Sequence, residues 1–111
     1  MAEPTWTTLP DLAEMLGIDV LRLRHLLADG TLAGVRGDDG VLRVPGEFVA
    51  DGQVLKGLAG VLTVLRDGGY DDASALDWLF ADDPSLPGSP VQALRENRGT
   101  EVKRRAQALA W

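Results

Sequence analysis

Glycines at positions 17, 30, 37 and 40 cut the first half of this chain into pieces so short that each has room for one helix or one strand. The first piece, "TTLPDLAEMLG", opens on a helix start. Thr8 stands as cap, Asp11 follows where it can reach back to the cap amide, and Pro10 suits a first turn. Leu9, Leu12, Ala13 and Leu16 then recur at helical spacing until Gly17 ends the pattern. After Ile18, Asp19 is a second cap. Val20, Leu23, Leu26 and Leu27 make one apolar stripe that Gly30 closes, while Arg22, Arg24, His25 and Asp29 fall largely off it. Two short helices joined around a glycine have the spacing of a helix-turn-helix, in which a tight turn sets the second helix across the first.

The next piece, "TLAGVRGDDGVLRVPG", reads as a β-hairpin: Ala33 to Arg36, a turn of Gly37-Asp38-Asp39-Gly40, then Val41 to Val44 before Pro45 stops the strand. Period two is expected to bury Val35 with Leu42 and Val44 and to point Arg36 and Arg43 the other way, together. From Pro45 onward the pattern reads as wholly helical. Phe48, Val49, Val54, Leu55, Leu58, Ala59, Leu62 and Leu65 lead to a stop at Asp67-Gly68-Gly69. A short helix follows over 71–80 with Ala75, Leu76, Leu79 and Phe80 inward; Pro84, Pro87 and Pro90 punctuate a loop, and Ser89 to Gln92 is a capping box. Thr100 is expected to cap the last helix, which runs on through Trp111. The fold expected is mainly α: a winged helix-turn-helix with a two-stranded hairpin wing over 1–50, then a C-terminal helical domain over 51–111.

Composition excludes several function classes. A length of 111 residues allows one compact domain or two very small ones sharing a core. With no cysteine there is neither a disulfide framework nor a thiolate metal site. One histidine and no glycine-rich phosphate loop leave no nucleophile-base pair, so no catalytic residue, no metal ligand set and no cofactor is expected. The amino terminus lacks a signal-peptide pattern and no apolar run is long enough for a bilayer, so no membrane partner is expected and the default location is cytoplasmic, on the nucleoid if DNA is the partner.

Charge argues in the opposite direction from the helix pattern. The net charge of −6 opposes bulk attraction to nucleic acid, so a DNA contact would have to come from a local patch with the acids turned away. Residues 1–49 set Arg22, Arg24, Arg36 and Arg43 against Glu3, Asp11, Glu14, Asp19, Asp29, Asp38, Asp39 and Glu47, with Asp38 and Asp39 at the tip of the wing. That balance predicts weak non-specific affinity, steep salt dependence, and a need for a dimer or a partner.

At the residue level, "DLAEMLGIDVLRLRHLLADGTLAGVRGDDGVLRVPGEFV" resembles the excisionase and MerR-type winged-helix group, through the Leu-Gly joint, the Asp-Gly-x-Leu that follows the second helix, and a wing ending in Val-Pro. Over nearly its whole length the chain resembles a family of small actinobacterial DNA-binding proteins that join this domain to C-terminal helices. "WLF…LPGSPVQAL…EVKRRAQALA" is similar to the toxin-binding domain of Xre and ParS type antitoxins. The resemblance implies double-stranded DNA as partner, with the second helix in the major groove and the wing along the backbone or minor groove. Arg22 and Arg24 would then meet base edges or phosphates, His25 would add a donor, and Arg36 with Arg43 would hold phosphates.

Each of these residues also has a plainer reading. Arg22, Arg24 and His25 fit the solvated face of an amphipathic helix, and Arg36 and Arg43 fit surface ion pairs with Asp38, Asp39 or Glu47. Lys103, Arg104 and Arg105 are candidates for further phosphate contacts, or for complementing a helix dipole and pairing with Glu101. Thr5 and Thr7 are candidate phosphorylation sites, because a dianion beside the first helix would repel DNA. Two functions of different class remain open: a DNA-binding regulator, with a homodimer as one way to read a two-fold operator, and an antitoxin-like or adaptor protein that binds a protein partner through its C-terminal helices.

Overall fold

The computed structural model describes residues 3–86 and 88–109; the loop proline Pro87 and the helix end expected at Ala110 and Trp111 lie outside them. The chain enters as a short strand β1 (Trp6–Thr8), which passes straight into α1 (Leu9–Leu16). Thr8 occupies the N-cap position of α1, but its side chain makes no cap hydrogen bond; as the last residue of β1 it is paired with Arg43 in the sheet. Gly17 closes α1 in the left-handed conformation, with the amide of Ile18 donating to the Ala13 carbonyl at 3.0 Å. After that joint comes α2 (Val20–Ala28), whose first turn is fixed by the Asp19 carboxylate accepting from the Arg22 amide at 2.7 Å.

The wing is built from β2 (Val35–Arg36) and β3 (Leu42–Pro45). β1 adds to the other side of β3, so the sheet has three strands in the order β1-β3-β2, all antiparallel. The register places Val35 opposite Arg43 and Arg36 opposite Leu42. Residues directly opposite share a face of the sheet, so Arg36 and Arg43 point to opposite faces and Val35 lies across the sheet from Leu42 and Val44. This corrects the expectation that the two arginines point together.

Residues 46–57 are also not helical. Gly46–Phe48 is one 3-10 turn, followed by a tight hairpin of β4 (Val49–Ala50) and β5 (Gln53–Val54). Its turn residues Asp51 and Gly52 have φ of 53° and 74°, and two adjacent positive φ values are what a type I′ hairpin turn demands. The Asp-Gly pair therefore breaks the apolar spacing that had suggested a helix.

The rest is helical: α3 (Leu58–Asp67), α4 (Asp72–Phe80), α5 (Pro90–Arg95) and α6 (Gly99–Leu109). Caps account for two of the starts, with Asp71 accepting from the Ser74 amide at 2.8 Å and Ser89 from the Gln92 amide at 3.2 Å. Gln92 does not complete a reciprocal box through its own amide nitrogen, which donates to Glu96 at 3.1 Å. Thr100 lies inside α6 and does not cap it. Asn97, at φ 64°, ends α5 with the Arg98 amide on the Ala93 carbonyl, and the Arg98 carbonyl already accepts from Val102.

One core joins all of this. Leu12, Leu23, Leu32, Val44 and Phe48 are buried in the same cluster as Leu58, Leu62, Leu65, Leu79, Ala93, Val102 and Ala106. Phe48, at the foot of the wing, meets Phe80 of α4 with ring centroids 6.0 Å apart and planes tilted by 43°. Among the described residues no helix is long and apolar enough to cross a membrane.

Candidate nucleic-acid interface

The amphipathic division of α2 decides which of its side chains face outward. Leu23 is fully buried, Val20, Leu26 and Leu27 pack against the core, and Leu21, Arg22, Arg24 and His25 stand exposed. The Arg22 amide donates to the Asp19 cap, but the guanidinium groups of Arg22 and Arg24 have no hydrogen-bond or ion-pair partner among the described residues. At the helix end, the Thr31 hydroxyl and amide donate to Asp29 at 2.7 and 3.0 Å; the Thr31 bonds are the main reason its carboxyl is held below the ordinary range, with a smaller contribution from the charge of His25.

The wing arginines are placed differently. Arg36 and Arg24 line one cleft of about 330 Å³ together with Val20, Val41 and Leu42, so the wing and the second helix share a cationic edge. Arg36 also donates to the Gly40 carbonyl at 2.9 Å, tying it to the wing turn. Arg43 lies on the other sheet face beside Trp6 and Val35, lining a second cleft of about 360 Å³. Its guanidinium is taken by Asp39 through bonds of 2.8 and 3.2 Å. Those bonds, with help from the Val41 amide, pull the Asp39 carboxyl down to about 2, and the same pairing raises Arg43 above its usual value.

The candidates near the chain end separate too. Lys103 and Arg104 are exposed on α6, and Lys103 lines a cleft with Lys56, Gly57, Asn97 and Gly99 that contains no residue of α2 or the wing. Arg105 is half-buried and donates to the Ser85 carbonyl at 3.2 Å, so its role is within the fold. At the other end of the chain, the Thr5 hydroxyl and amide both donate to the Glu47 carboxylate, at 2.9 Å for the hydroxyl, and the Thr7 hydroxyl donates to the Thr5 carbonyl at 2.9 Å.

Two arginines that sequence reasoning passed over sit beside these elements. Arg66 of α3 donates to the Gly30 and Leu32 carbonyls at 2.8 and 3.3 Å, just past α2. Arg95 of α5 donates to the Glu47 and Val49 carbonyls at 2.7 and 3.0 Å, just past β3. No motif announces such residues, because their partners are backbone groups dozens of positions away.

Comparison with known proteins finds two family matches along the chain. Residues 1–49 match the wHTH domain of the DNA-binding protein Rv2175c, and residues 55–110 match the Rv2175c C-terminal domain, described as of unknown function. The DNA-binding protein Rv2175c of Mycobacterium tuberculosis (strain ATCC 25618 / H37Rv) is 44% identical over 121 residues, an alignment that covers 98% of this chain and 82% of the relative. The solved NMR structure of Rv2175c superposes with a TM-score of 0.88 at 39% identity, covering all of this chain and 84% of that one.

Proposed function

The chain belongs to the Rv2175c family of winged helix-turn-helix proteins, and from that premise we propose that it binds double-stranded DNA as a regulator of transcription on the nucleoid. In this reading residues 1–50 form the DNA-contacting part and 51–111 the helical part. α2 enters the major groove, where Arg22 and Arg24 meet base edges or phosphates, and His25 adds a donor. The wing runs along the backbone, with Arg36 reaching phosphate beside Arg24 and Arg43 contributing once drawn away from Asp39. The observation that carries the proposal is the freedom of Arg22 and Arg24. The side chains of Arg36, Arg43, Arg66, Arg95, Arg98 and Arg105 each have a partner within the fold, whereas the exposed guanidinium groups of Arg22 and Arg24, like that of Arg104 on α6, have none among the described residues.

The joint at Leu16-Gly17 and the wing end at Val44-Pro45 support reading this domain as excisionase-like and MerR-like, and the C-terminal helices as akin to antitoxin toxin-binding domains. Lys103 and Arg104 are candidates for further phosphate contacts. The test is fluorescence anisotropy with labelled genomic duplexes at low and physiological salt, beside the Arg22→Ala/Arg24→Ala double variant. Fragment-selective binding that the variant loses supports the reading; absence of binding by the unaltered protein at low salt overturns it.

A second reading, a protein-binding adaptor or homodimer, is favoured by a groove of about 400 Å³ between the sheet and α4, lined by Pro4, Trp6, Val35, Leu76 and Phe80. Trp6 is 45% exposed there, an uncommon exposure for a large aromatic side chain. Sedimentation of the purified chain, alone and after capture from lysate, tests it.

A further inference from the structure

The wing is tied at both ends by arginines of the C-terminal helices. At its start, the Arg66 fork is held from one side by the Asp72 carboxylate of α4, through Nε and Nη2 at 3.2 and 3.1 Å. From the other side it donates to the Gly30 and Leu32 carbonyls, the two backbone acceptors that lead from α2 into β2. Gly30 is left-handed at φ 87°, where an L side chain is strained, and a Cβ there would lie 2.7 Å from Arg66 Nη1, so a side chain at 30 would push the guanidinium off its carbonyls. A cation in this position also faces the negative end of the α2 dipole. At the far end, Arg95 Nη1 holds the Glu47 and Val49 carbonyls directly after β3. Charge-assisted bonds to carbonyls are stronger and more directional than neutral ones, and the bidentate fork fixes angles that a point charge does not.

We propose that Arg66 and Arg95 are positioning residues, and that the C-terminal helices serve to set the angle between α2 and the wing through them. This rests on the DNA-binding reading for its purpose and on the hydrogen bonds alone for its mechanism. The clamped stretch, residues 31–48, contains the whole hairpin, while α2 is seated independently by Leu23 in the core. Without the two clamps the wing keeps β1, its own turn and the buried side chains of Ala33, Val44 and Phe48, but loses the directed bonds that fix its two ends. A DNA reader built this way loses discrimination first, because selective binding needs helix and wing engaged together while non-specific binding needs only charge.

Two experiments on the 111-residue chain separate this from the function it rests on. Amide hydrogen exchange of the free protein should show Arg66→Ala and Arg95→Ala losing protection at Val35, Leu42 and Val44, with Val61, Leu62 and Val102 in the C-terminal core unchanged. Arg66→Lys, which keeps the charge and loses the fork, should behave like Arg66→Ala. Anisotropy should show the ratio of affinities for the best genomic fragment over a shuffled duplex falling roughly tenfold, the discrimination of about one good base contact. The slope of log affinity against log salt should stay at the unaltered protein's value, whereas Arg22→Ala should flatten it by about 1. Unchanged wing protection in folded Arg66 and Arg95 variants overturns the positioning role, and so does a salt slope flattened as in Arg22→Ala, since that marks a direct phosphate contact. If wing protection falls while the unaltered protein binds no duplex, the DNA reading fails and the clamp stands as a device for some other ligand of the wing.

Discussion

Arg43 and Asp39 face each other across the wing turn through two hydrogen bonds of 2.8 and 3.2 Å, so the acid at the wing tip occupies the arginine that a DNA backbone would use. The hairpin carries two arginines and two aspartates, so it has no net charge, and this pair takes up one of each. It also makes the wing tunable.

Removing the acid should release the arginine. Asp39→Asn leaves the Val41 amide an acceptor and takes away the ionic partner, and it also lowers the negative charge that phosphates meet at the tip. Non-specific affinity for duplex DNA should rise, and the salt slope should steepen by about 1 as Arg43 takes up a phosphate. Anisotropy across a salt series measures both; an unchanged slope would mean Arg43 never reaches the backbone.

The same pair sets a pH window. The Asp39 carboxyl is depressed in the fold from an ordinary 3.8 to about 2. A depressed carboxylate contributes stability that is complete above its unfolded value and lost as pH falls through its folded value, so the wing turn should hold unchanged down to about pH 4 and loosen between there and pH 2. Amide shifts of Val41 and Arg43 followed by NMR should titrate with the folded carboxyl, at about 2, and in Asp39→Asn they should not.

Phe48 should report the unity of the core. It is fully buried at the foot of the wing and meets Phe80 from α4. Phe48→Ala should cost about 3–5 kcal/mol, and urea unfolding should stay a single transition with N-terminal and C-terminal probes coincident. Separate transitions for the two halves would contradict a shared core.

How much of this is legible in the sequence follows from how local each cause is. Gly17, the Asp19 cap and Gly30 delimit α2 within a few residues of each other, and the structure keeps those bounds. The inward set of α4, Ala75, Leu76, Leu79 and Phe80, is equally local and is buried as the 3.6-residue spacing predicts. The facing of Arg36 and Arg43 depends on hairpin register, where one residue of slip exchanges the faces. β1 forms only because β3 offers an edge to pair with, which no pattern in three residues reveals. Residues 46–57 kept helical spacing by coincidence, and the Asp51-Gly52 pair was the local signal that outweighs it. Arg66 and Arg95 act on carbonyls 36 and 46 positions away, so nothing near them in the chain marks them.

That Asp51-Gly52 turn gives a stability test. Gly52 sits at φ 74°, where an L side chain is strained, so Gly52→Ala should cost about 1 kcal/mol in urea unfolding, while Asp51→Asn should be nearly neutral. Equal effects would mean the turn is not held in this geometry.

Thr5 offers a charge test. Its hydroxyl and amide bind the Glu47 carboxylate, so Thr5→Glu sets two carboxylates together and loosens the entry to β1. Affinity for DNA should fall at low salt and recover little by stability, which should change by less than about 1 kcal/mol at so exposed a site. DNA affinity equal to that of the unaltered chain would remove Thr5 as a control point.

The central claim, that α2 and the neighbouring wing edge carry the DNA contact, is tested most directly by NMR titration of the isotope-labelled protein with a bound duplex. Amide and guanidinium signals of Arg22, Arg24, His25 and Arg36 should shift together and saturate at one stoichiometry, with Lys103 and Arg104 on α6 moving less. Shifts confined to α4, α5 and α6, with α2 unmoved, would contradict the account.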